Sequence, residues 1–335
     1  MGIIRQHMLL FFLKRFLSFA ITLGLATLLV FAALELLPGN AAQVILGDTA
    51  TPESIAVLEK KLGLDQPASK RYISWVSGLL SGQTAMSTSY NTPTSELIWQ
   101  RMQVSLPLAL IAMTLTVTIA LVLGIYAASR HNKLGDVGMM TLSQVGIALP
   151  NFWLAILLIL LFAVQLQWVS AGGFNGWSEE EGGGLWSGLQ SLILPAIALA
   201  AVQAAILARV TRSAVLEVMR EDFVRTARAK GLSKRAVLWK HVLRNAFIPV
   251  LTVMGLQFGN LITSAIVVEN VFVLPGIGRL VFQAIANRDL ILVRDVVMLL
   301  AASVILINFA IDVLYALIDP RLRRSVASAN GSRRA

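Results

Sequence analysis

The sequence predicts an all-α, polytopic membrane protein with about six transmembrane helices, and three observations support that prediction. Hydrophobic residues make up 56% of the 335 residues and charged residues only 14%, a composition too apolar for a soluble protein of this length. Apolar runs of roughly 20 residues, the length that crosses a bilayer, recur along the chain. Charged residues collect at the ends of these runs, as they do at membrane surfaces.

The expected spans follow one another with unequal connections. The first begins behind Lys14 and Arg15 and is longer than the apolar part of a cleaved signal peptide, so we expect a retained helix. Pro150 is expected to kink the third, because proline interrupts helical hydrogen bonding. The predicted spans are residues 16–37, 106–129, 139–168, 191–210, 247–268 and 293–318.

Four segments organise the chain around these spans. A polar stretch follows the first span, carries turn signals at Pro38-Gly39 and Thr51-Pro52 and contains an amphipathic helix over 53–62. The Gly-rich, acidic connection 172–188 is expected to be an exposed loop. The predicted segments are an N-terminal tail with the first helix (1–37), an extracytoplasmic segment (38–103), a five-helix core (104–320) and a basic cytoplasmic tail (321–335).

Basic residues between the spans predict an orientation. Most of the 28 lysines and arginines lie near the termini, in the short loop 130–133 and in the long loop 209–247, which the predicted spans place on one side. The positive-inside rule then puts both termini in the cytoplasm. The net charge of +10 is distributed between spans and does not form one stripe, so nucleic acid is not an expected partner, whereas membrane lipid is.

Residues that enzymes and metal sites need are scarce. The chain has no cysteine, which excludes disulfides and thiol chemistry. Its histidines, His7, His131 and His241, fall at span edges and form no Ser/His or metal constellation within the bilayer. The phosphate-binding motif of P-loop ATPases is absent. We expect no catalytic, cofactor or metal site in this chain.

The 209–247 loop is the most informative stretch. Val215, Met219, Phe223 and Ala227 recur every four residues and predict one apolar helical face. Gly231 is suited to end that helix in the left-handed conformation, and a second helix is expected to start immediately after it. A basic amphipathic unit of this kind could lie in the membrane interface or dock a partner protein.

The runs 222–233 and 241–249 closely resemble the cytoplasmic coupling motif of binding-protein-dependent ABC importer permeases. The family's general form is Glu-Ala-Ala, three residues, Gly, nine residues, Ile-x-Leu-Pro. Here Arg225-Thr226-Ala227 stands at the triplet and Gly231 at the glycine. The changed triplet resembles the dipeptide, oligopeptide and nickel branch. Segments at 62–65, 149–153, 268–278 and 312–321 also look family-like, whereas 82–90 departs from the pattern.

The resemblance implies a type I ABC importer transmembrane fold in a bacterial inner membrane and a place as the first permease of a pair. Implied partners are a second homologous permease, two cytoplasmic ATPases that bind ATP and Mg, and an extracytoplasmic solute-binding protein. The residues implied in coupling to the ATPase are Met219, Phe223, Arg225, Thr226, Ala227, Gly231 and Leu232.

Peptides are the cargo that the resemblance implies, with nickel, glutathione and oligosaccharide still open. Polar residues within a span are candidates for a transport pathway, because they are expensive in hydrocarbon. Gln257, Asn260 and Ser264 share one face of the fifth span and either line the pathway or bond to neighbouring helices, beside the small residues Gly255 and Gly259. A secondary transporter or channel without an ATPase is the alternative function.

Overall fold

The protein is almost entirely helical in the computed structural model, which describes residues 2–36, 41–47, 50–180 and 182–318. The all-α prediction is therefore confirmed for the described part of the chain. Pro38-Gly39 and the basic tail 321–335 lie outside the described residues. The helices are α1 Gly2–Glu35, α2 Ala41–Leu46, α3 Pro52–Leu62, α4 Ala68–Ser81, α5 Thr94–Ser129, α6 Leu134–Ala148, α7 Asn151–Leu158, α8 Leu185–Val218, α9 Asp222–Ala229, α10 Lys234–Val237, α11 Leu243–Val271, α12 Ile277–Ala286 and α13 Leu290–Ile318.

Five described helical stretches are long and apolar enough to cross a membrane, and a bent pair makes a sixth if its two helices form one span. This agrees with the predicted number. The stretches are Phe12–Glu35, Thr94–Ser129, Leu185–Val218, Lys234–Val271 and Leu290–Leu314. The helices extend well beyond several predicted spans, because hydropathy marks the apolar part of a helix and not its polar continuation.

The bend between these two helices is the kink that Pro150 predicts. Helices α6 and α7, the second continued by the π-helical turn Ile159–Gln165, meet at an angle of 100°. Leu149 adopts φ −86° and ψ 125°, the extended conformation that a following proline imposes, and α7 starts directly after Pro150. Residues 139–168 are therefore not one straight span.

Two segments that the sequence predicts as connections between spans are partly helical or closely packed. Helix α5 begins at Thr94, inside the segment expected to be extramembrane, and α8 begins at Leu185, inside the expected loop 172–188. In that loop the amide of Gly173 donates to the carbonyl of Phe272 at 2.8 Å. A Cβ on Gly172 would lie 2.5 Å from the same oxygen, so only glycine permits this approach. The expectation of a simple exposed loop is wrong for these residues.

One compact unit comprises the described residues of Met1–Phe19, Pro107–Val273 and Leu306–Ala335. Its central helix is α8, which packs against α6, α7 and α11 and buries a row of small and branched side chains, among them Leu199, Ala204 and Leu207. Small residues let helix backbones approach closely where lipid offers no hydrophobic driving force. Helix α5 shows this at Gly124, where a Cβ would lie 2.7 Å from the carbonyl oxygen of Ala208 in α8.

The second unit comprises the described residues of Ala20–Leu106 and Leu274–Ile305. Helix α3 agrees closely with the amphipathic helix predicted over 53–62, and it has Thr51 as its N-cap and Gly63 as its C-cap. Two buried carboxylates organise the interior of this unit: Asp295 accepts from Trp75 and Thr94, and Asp289 accepts from Ser87. Segment 82–90, which departs from the family pattern, therefore supplies a buried polar contact within the unit.

Candidate functional site

The 209–247 loop has the predicted helix–glycine–helix order, with its first helix broken in two. Helix α8 runs on to Val218, the chain turns at residues 219–221, and α9 begins at Asp222. Because of this break, Val215 and Met219 belong to a different helical path from Phe223 and Ala227. The prediction of one continuous helix with a single apolar face is wrong.

The break changes which side of α9 is buried. Val224 is 0% exposed and Ala227 is 7% exposed, so these two residues anchor the helix. Phe223, which was expected on the buried face, is 40% exposed. Sequence periodicity missed Val224, although its spacing of three from Ala227 is also a same-face spacing.

Gly231 ends the unit's first half in the predicted left-handed conformation, with φ +83°. Its amide donates to the carbonyl of Arg228 at 2.9 Å, and the amide of Leu232 reaches the carbonyl of Ala227 at 3.4 Å. No atom lies within 4 Å of a Cβ built on Gly231, so the space beside it is open. Side chains other than glycine are strained at this φ, with Asn and Asp least so.

The second half of the loop begins with a capped helix and is anchored by buried side chains. The hydroxyl of Ser233 accepts from the amide of Ala236 at 3.3 Å, which makes Ser233 the N-cap of α10. The π-helical turn Leu238–Val242 joins α10 to α11. Val237, Val242 and Ala246 are each 1% exposed.

A single apolar core holds both halves of the loop to the long helices. It contains residues of α5 and α8 together with residues of the loop and α11, so α9 cannot move independently of α8 without exposing apolar surface. Its buried members are Ala120, Ala128, Leu207, Ala208, Ala214, Val215, Val224, Ala227, Val237, Val242, Ala246 and Val250.

The opposite side of α9 is open and carries polar and apolar groups. Arg225 and Asp222 form an ion pair at 3.2 Å with side chains 75% and 94% exposed, so solvent screens it strongly. Phe223 and Leu232 are each 40% exposed, and Thr226 is also exposed, whereas Met219 is half-buried. The implied coupling residues therefore divide into the anchoring residue Ala227, the half-buried Met219 and an exposed group.

The candidate pathway residues on α11 differ in burial. Gln257 is 3% exposed, Asn260 is exposed and Ser264 is half-buried. The amide nitrogen of Asn260 donates to Oε1 of Gln257 at 3.1 Å, while Nε2 of Gln257 has no hydrogen-bond partner among the described residues. A Cβ on Gly255 would overlap the side chain of Ile311, so this part of α11 packs closely on α13.

Sequence reasoning missed a buried ion pair near the loop. Asp136 in α6 lies with both carboxylate oxygens against the guanidinium of Arg212 in α8. Its signal in the sequence is an acidic residue close to an apolar span, which is costly unless paired. No group of three or more residues able to hold a metal ion occurs in the described ranges.

Two family models together match nearly the whole chain. The model described as binding-protein-dependent transport system inner membrane component matches residues 120–324. A model for the N-terminal region of such membrane components matches residues 8–121. Their boundary falls within α5.

Relatives with assigned transport roles are similar over most of their length. A putative peptide transport system permease protein of Brucella abortus (strain 2308) is 41% identical over 299 residues, covering 89% of this chain and 94% of the relative. A di/tripeptide transport system permease protein of Pseudomonas aeruginosa (strain UCBPP-PA14) is 40% identical, with 89% and 94% covered. A glutathione transport system permease protein of Salmonella choleraesuis (strain SC-B67) is 41% identical, with 94% and 99% covered.

The fold is similar to that of a solved transporter. A chain of the MetNI methionine ABC transporter in an inward-facing conformation matches with a TM-score of 0.52 at 17% identity, covering 67% of this chain and 96% of that one. This supports the expected type I importer fold. The predicted resemblance is likewise confirmed by the family models. The chain therefore belongs to the family of inner membrane components of binding-protein-dependent transport systems.

Proposed function

We propose that this chain is one of two permease subunits of an ATP-driven importer and that the 209–247 loop couples it to a cytoplasmic ATPase. The observation that carries the docking assignment is the division of α9 into two sides. Val224 and Ala227 fix the helix to the core, while Phe223, Arg225 and Thr226 face outward. An interface of this kind places a phenylalanine and an arginine, residue types enriched at protein interfaces, on a rigid support.

The assembly proposed around this chain contains a second homologous permease, two ATPases and a solute-binding protein. Family membership supports this set, because the family model describes a component of binding-protein-dependent systems. ATP and Mg would be bound by the ATPases. The loop would then lie in the cytoplasm with both termini, as its basic residues favour, and the 38–103 segment would face the solute-binding protein.

Peptides are the cargo we propose. The names of the Brucella and Pseudomonas relatives support this class, and the name of the Salmonella relative keeps the tripeptide-like thiol glutathione among the candidates. Asn260 and Ser264 are accessible positions on α11 for contact with cargo, and Gln257 holds Asn260 through their hydrogen bond. Nickel complexes and oligosaccharides are the competing cargo classes.

Exchanging an exposed loop residue tests the docking assignment. Phe223→Asp puts a charge on the open side of α9 without touching the core, and we expect ATPase retention during purification to fall by at least about tenfold. Val57→Asp is the matched control, since Val57 is also an exposed apolar helical residue, 69% exposed, in α3. Normal ATPase retention with Phe223→Asp would contradict the docking assignment.

Purification from the native cells separates the importer from the alternative function. The tagged chain, extracted in mild detergent, is expected to bring with it an ATPase and a second permease. Recovery of this chain alone or as a homo-oligomer, with uptake that persists after ATP is exhausted, would favour a secondary transporter or channel. Competition of labelled dipeptide uptake by glutathione, nickel and oligosaccharide then ranks the cargo classes.

A further inference from the structure

Among the described residues of the unit that contains the loop, a buried charged pair joins α6 to α8. Nε of Arg212 lies 2.5 Å from Oδ1 of Asp136, and Nη2 lies 2.7 Å from Oδ2. The Asp136 side chain is 3% exposed and that of Arg212 is 20% exposed. A bidentate contact of this kind fixes the relative orientation of the two side chains as well as their distance.

The pair also holds the short connection between α5 and α6. The amide of Asn132 donates to Oδ2 of Asp136 at 2.9 Å, and Nδ1 of His131 lies 3.3 Å from the same oxygen. Nη2 of Arg212 is 3.2 Å from that histidine nitrogen. Residues 130–133 are therefore tied to α8 through one carboxylate.

Arg212 lies near the C-terminal end of α8, in the first residues of the 209–247 loop. The neighbouring residues Ala214 and Val215 belong to the core that also contains Val224 and Ala227 of α9. A displacement of α9 must therefore displace this end of α8, since the two share tightly packed side chains. The polar pair then lies between α8 and the bent helices α6 and α7.

We propose that Asp136 and Arg212 are positioning residues that transmit movement of α8 to the bent α6–α7 pair during transport. This rests on the proposed coupling function of the loop. Apolar contacts between α6 and α8, such as the approach of Gly146 to the Cβ of Ala205, can slide past one another. Helices joined by a buried, bidentate ion pair cannot slide past one another without leaving a charge unpaired, which is strongly unfavourable.

The test uses the complete importer in proteoliposomes, with its ATPases, second permease and binding protein. The variant Arg212→Lys keeps a positive charge near Asp136 but loses the bidentate contact. We expect the number of labelled alanyl-alanine molecules imported per ATP hydrolysed to fall by at least about fivefold. Arg15→Lys is the matched control, because Arg15 forms a more exposed pair with Asp312 at 2.8 Å, away from the 209–247 loop in sequence.

A second measurement follows the movement itself. The chain has no cysteine, so a single introduced cysteine labels one position in it when the partner subunits are also free of reactive thiols. Fluorophores are placed at Lys230→Cys beside the loop glycine and, separately, at Trp153→Cys in α7, both exposed positions. In the unmodified background, trapping the ATPases with ATP and vanadate is expected to change both signals. With Arg212→Lys the Lys230 signal should change as before and the Trp153 signal should change less, because only the direct packing of α7 on α8 and α11 then remains.

The outcomes separate this proposal from the proposed function. If neither position responds in the unmodified background, the coupling function itself is wrong. If both respond equally with and without Arg212→Lys and the import ratio is unchanged, the transmission proposal is wrong while the coupling function stands. If Arg212→Lys fails to assemble, the neutral pair Asp136→Asn/Arg212→Gln leaves no unpaired charge and is measured in its place, with the same two outcomes.

Discussion

The hydroxyl of Ser87 donates a hydrogen bond to Oδ2 of Asp289, although the two residues are 202 positions apart. The amide of Ser89 donates to the same oxygen at 3.0 Å, and the amide of Leu292 donates to Oδ1 at 3.1 Å. Asp289 thereby caps α13 and fixes the 82–90 segment at once. The part of the sequence that departs most from the family pattern is thus held by a buried carboxylate.

Removing the hydroxyl of Ser87 should destabilise this unit. Ser87→Ala removes one charge-assisted hydrogen bond to Asp289 and also the acceptor of the Tyr90 amide. We expect the free energy of unfolding to fall by about 2 kcal/mol, seen as a lower thermal midpoint in detergent. Ser77→Ala is the control, because Ser77 is exposed and its hydroxyl donates to the carbonyl of Ser74 in the same helix. Equal midpoints for the two variants would contradict the assigned role of Ser87.

The same carboxylate predicts a pH dependence of stability. Burial acts to raise the pKa of Asp289, but the hydrogen bonds from Ser87 and from backbone amides outweigh it and lower the pKa below its ordinary value of 3.8. The folded state then binds the proton less tightly than the unfolded state does, so the carboxylate stabilises the fold above about pH 4. That contribution is lost as the pH falls through the lowered pKa.

Thermal midpoints measured between neutral and acidic pH test this dependence. The unmodified chain should lose stability below about pH 4. Asp289→Asn should be less stable near neutral pH and should lose less on acidification, because it has no carboxylate to protonate. Parallel curves for the two proteins would show that another group controls acid stability.

Gly124 predicts a steric effect between α5 and α8. A Cβ at this position would lie 2.6 Å from Cβ of Thr211 and 2.7 Å from the carbonyl oxygen of Ala208. Gly124→Ala should therefore force the helices apart and lower stability by about 1–3 kcal/mol. Gly138→Ala has nothing within 4 Å of the new Cβ and should be neutral or slightly stabilising, since alanine favours a helix. Thermal midpoints in detergent compare the two, and a neutral Gly124→Ala would exclude close packing there.

Gly231 gives a prediction about charge at the open side of the loop. Asp and Asn tolerate the left-handed conformation to a similar degree, so Gly231→Asp and Gly231→Asn strain the backbone alike and differ in charge. We expect Gly231→Asp to uncouple peptide uptake from ATP hydrolysis in proteoliposomes and Gly231→Asn to retain most uptake. Undiminished uptake by Gly231→Asp at normal expression would contradict the assignment of the loop as the docking site for the ATPase.

Local chemistry determined much of this fold from the sequence alone. Apolar length predicted the spans, Pro150 predicted the bend, and Gly231 predicted where one short helix ends and the next begins. Each of these depends on residues that are neighbours along the chain, since hydropathy, a proline ring and a cap all act within a turn or two. The family motif has the same local character, which is why the 209–247 loop could be recognised.

Tertiary structure alone decided the pairing of distant groups and the buried side of α9. Periodicity placed Phe223 on the buried face, but the turn at 219–221 rotates α9 so that Val224 is buried and Phe223 is exposed. No local pattern predicts that Asp136 pairs with Arg212 or that Ser87 pairs with Asp289. A buried charge takes its partner from whichever helix packing brings within about 3 Å, and that choice depends on the whole arrangement of helices and not on sequence spacing.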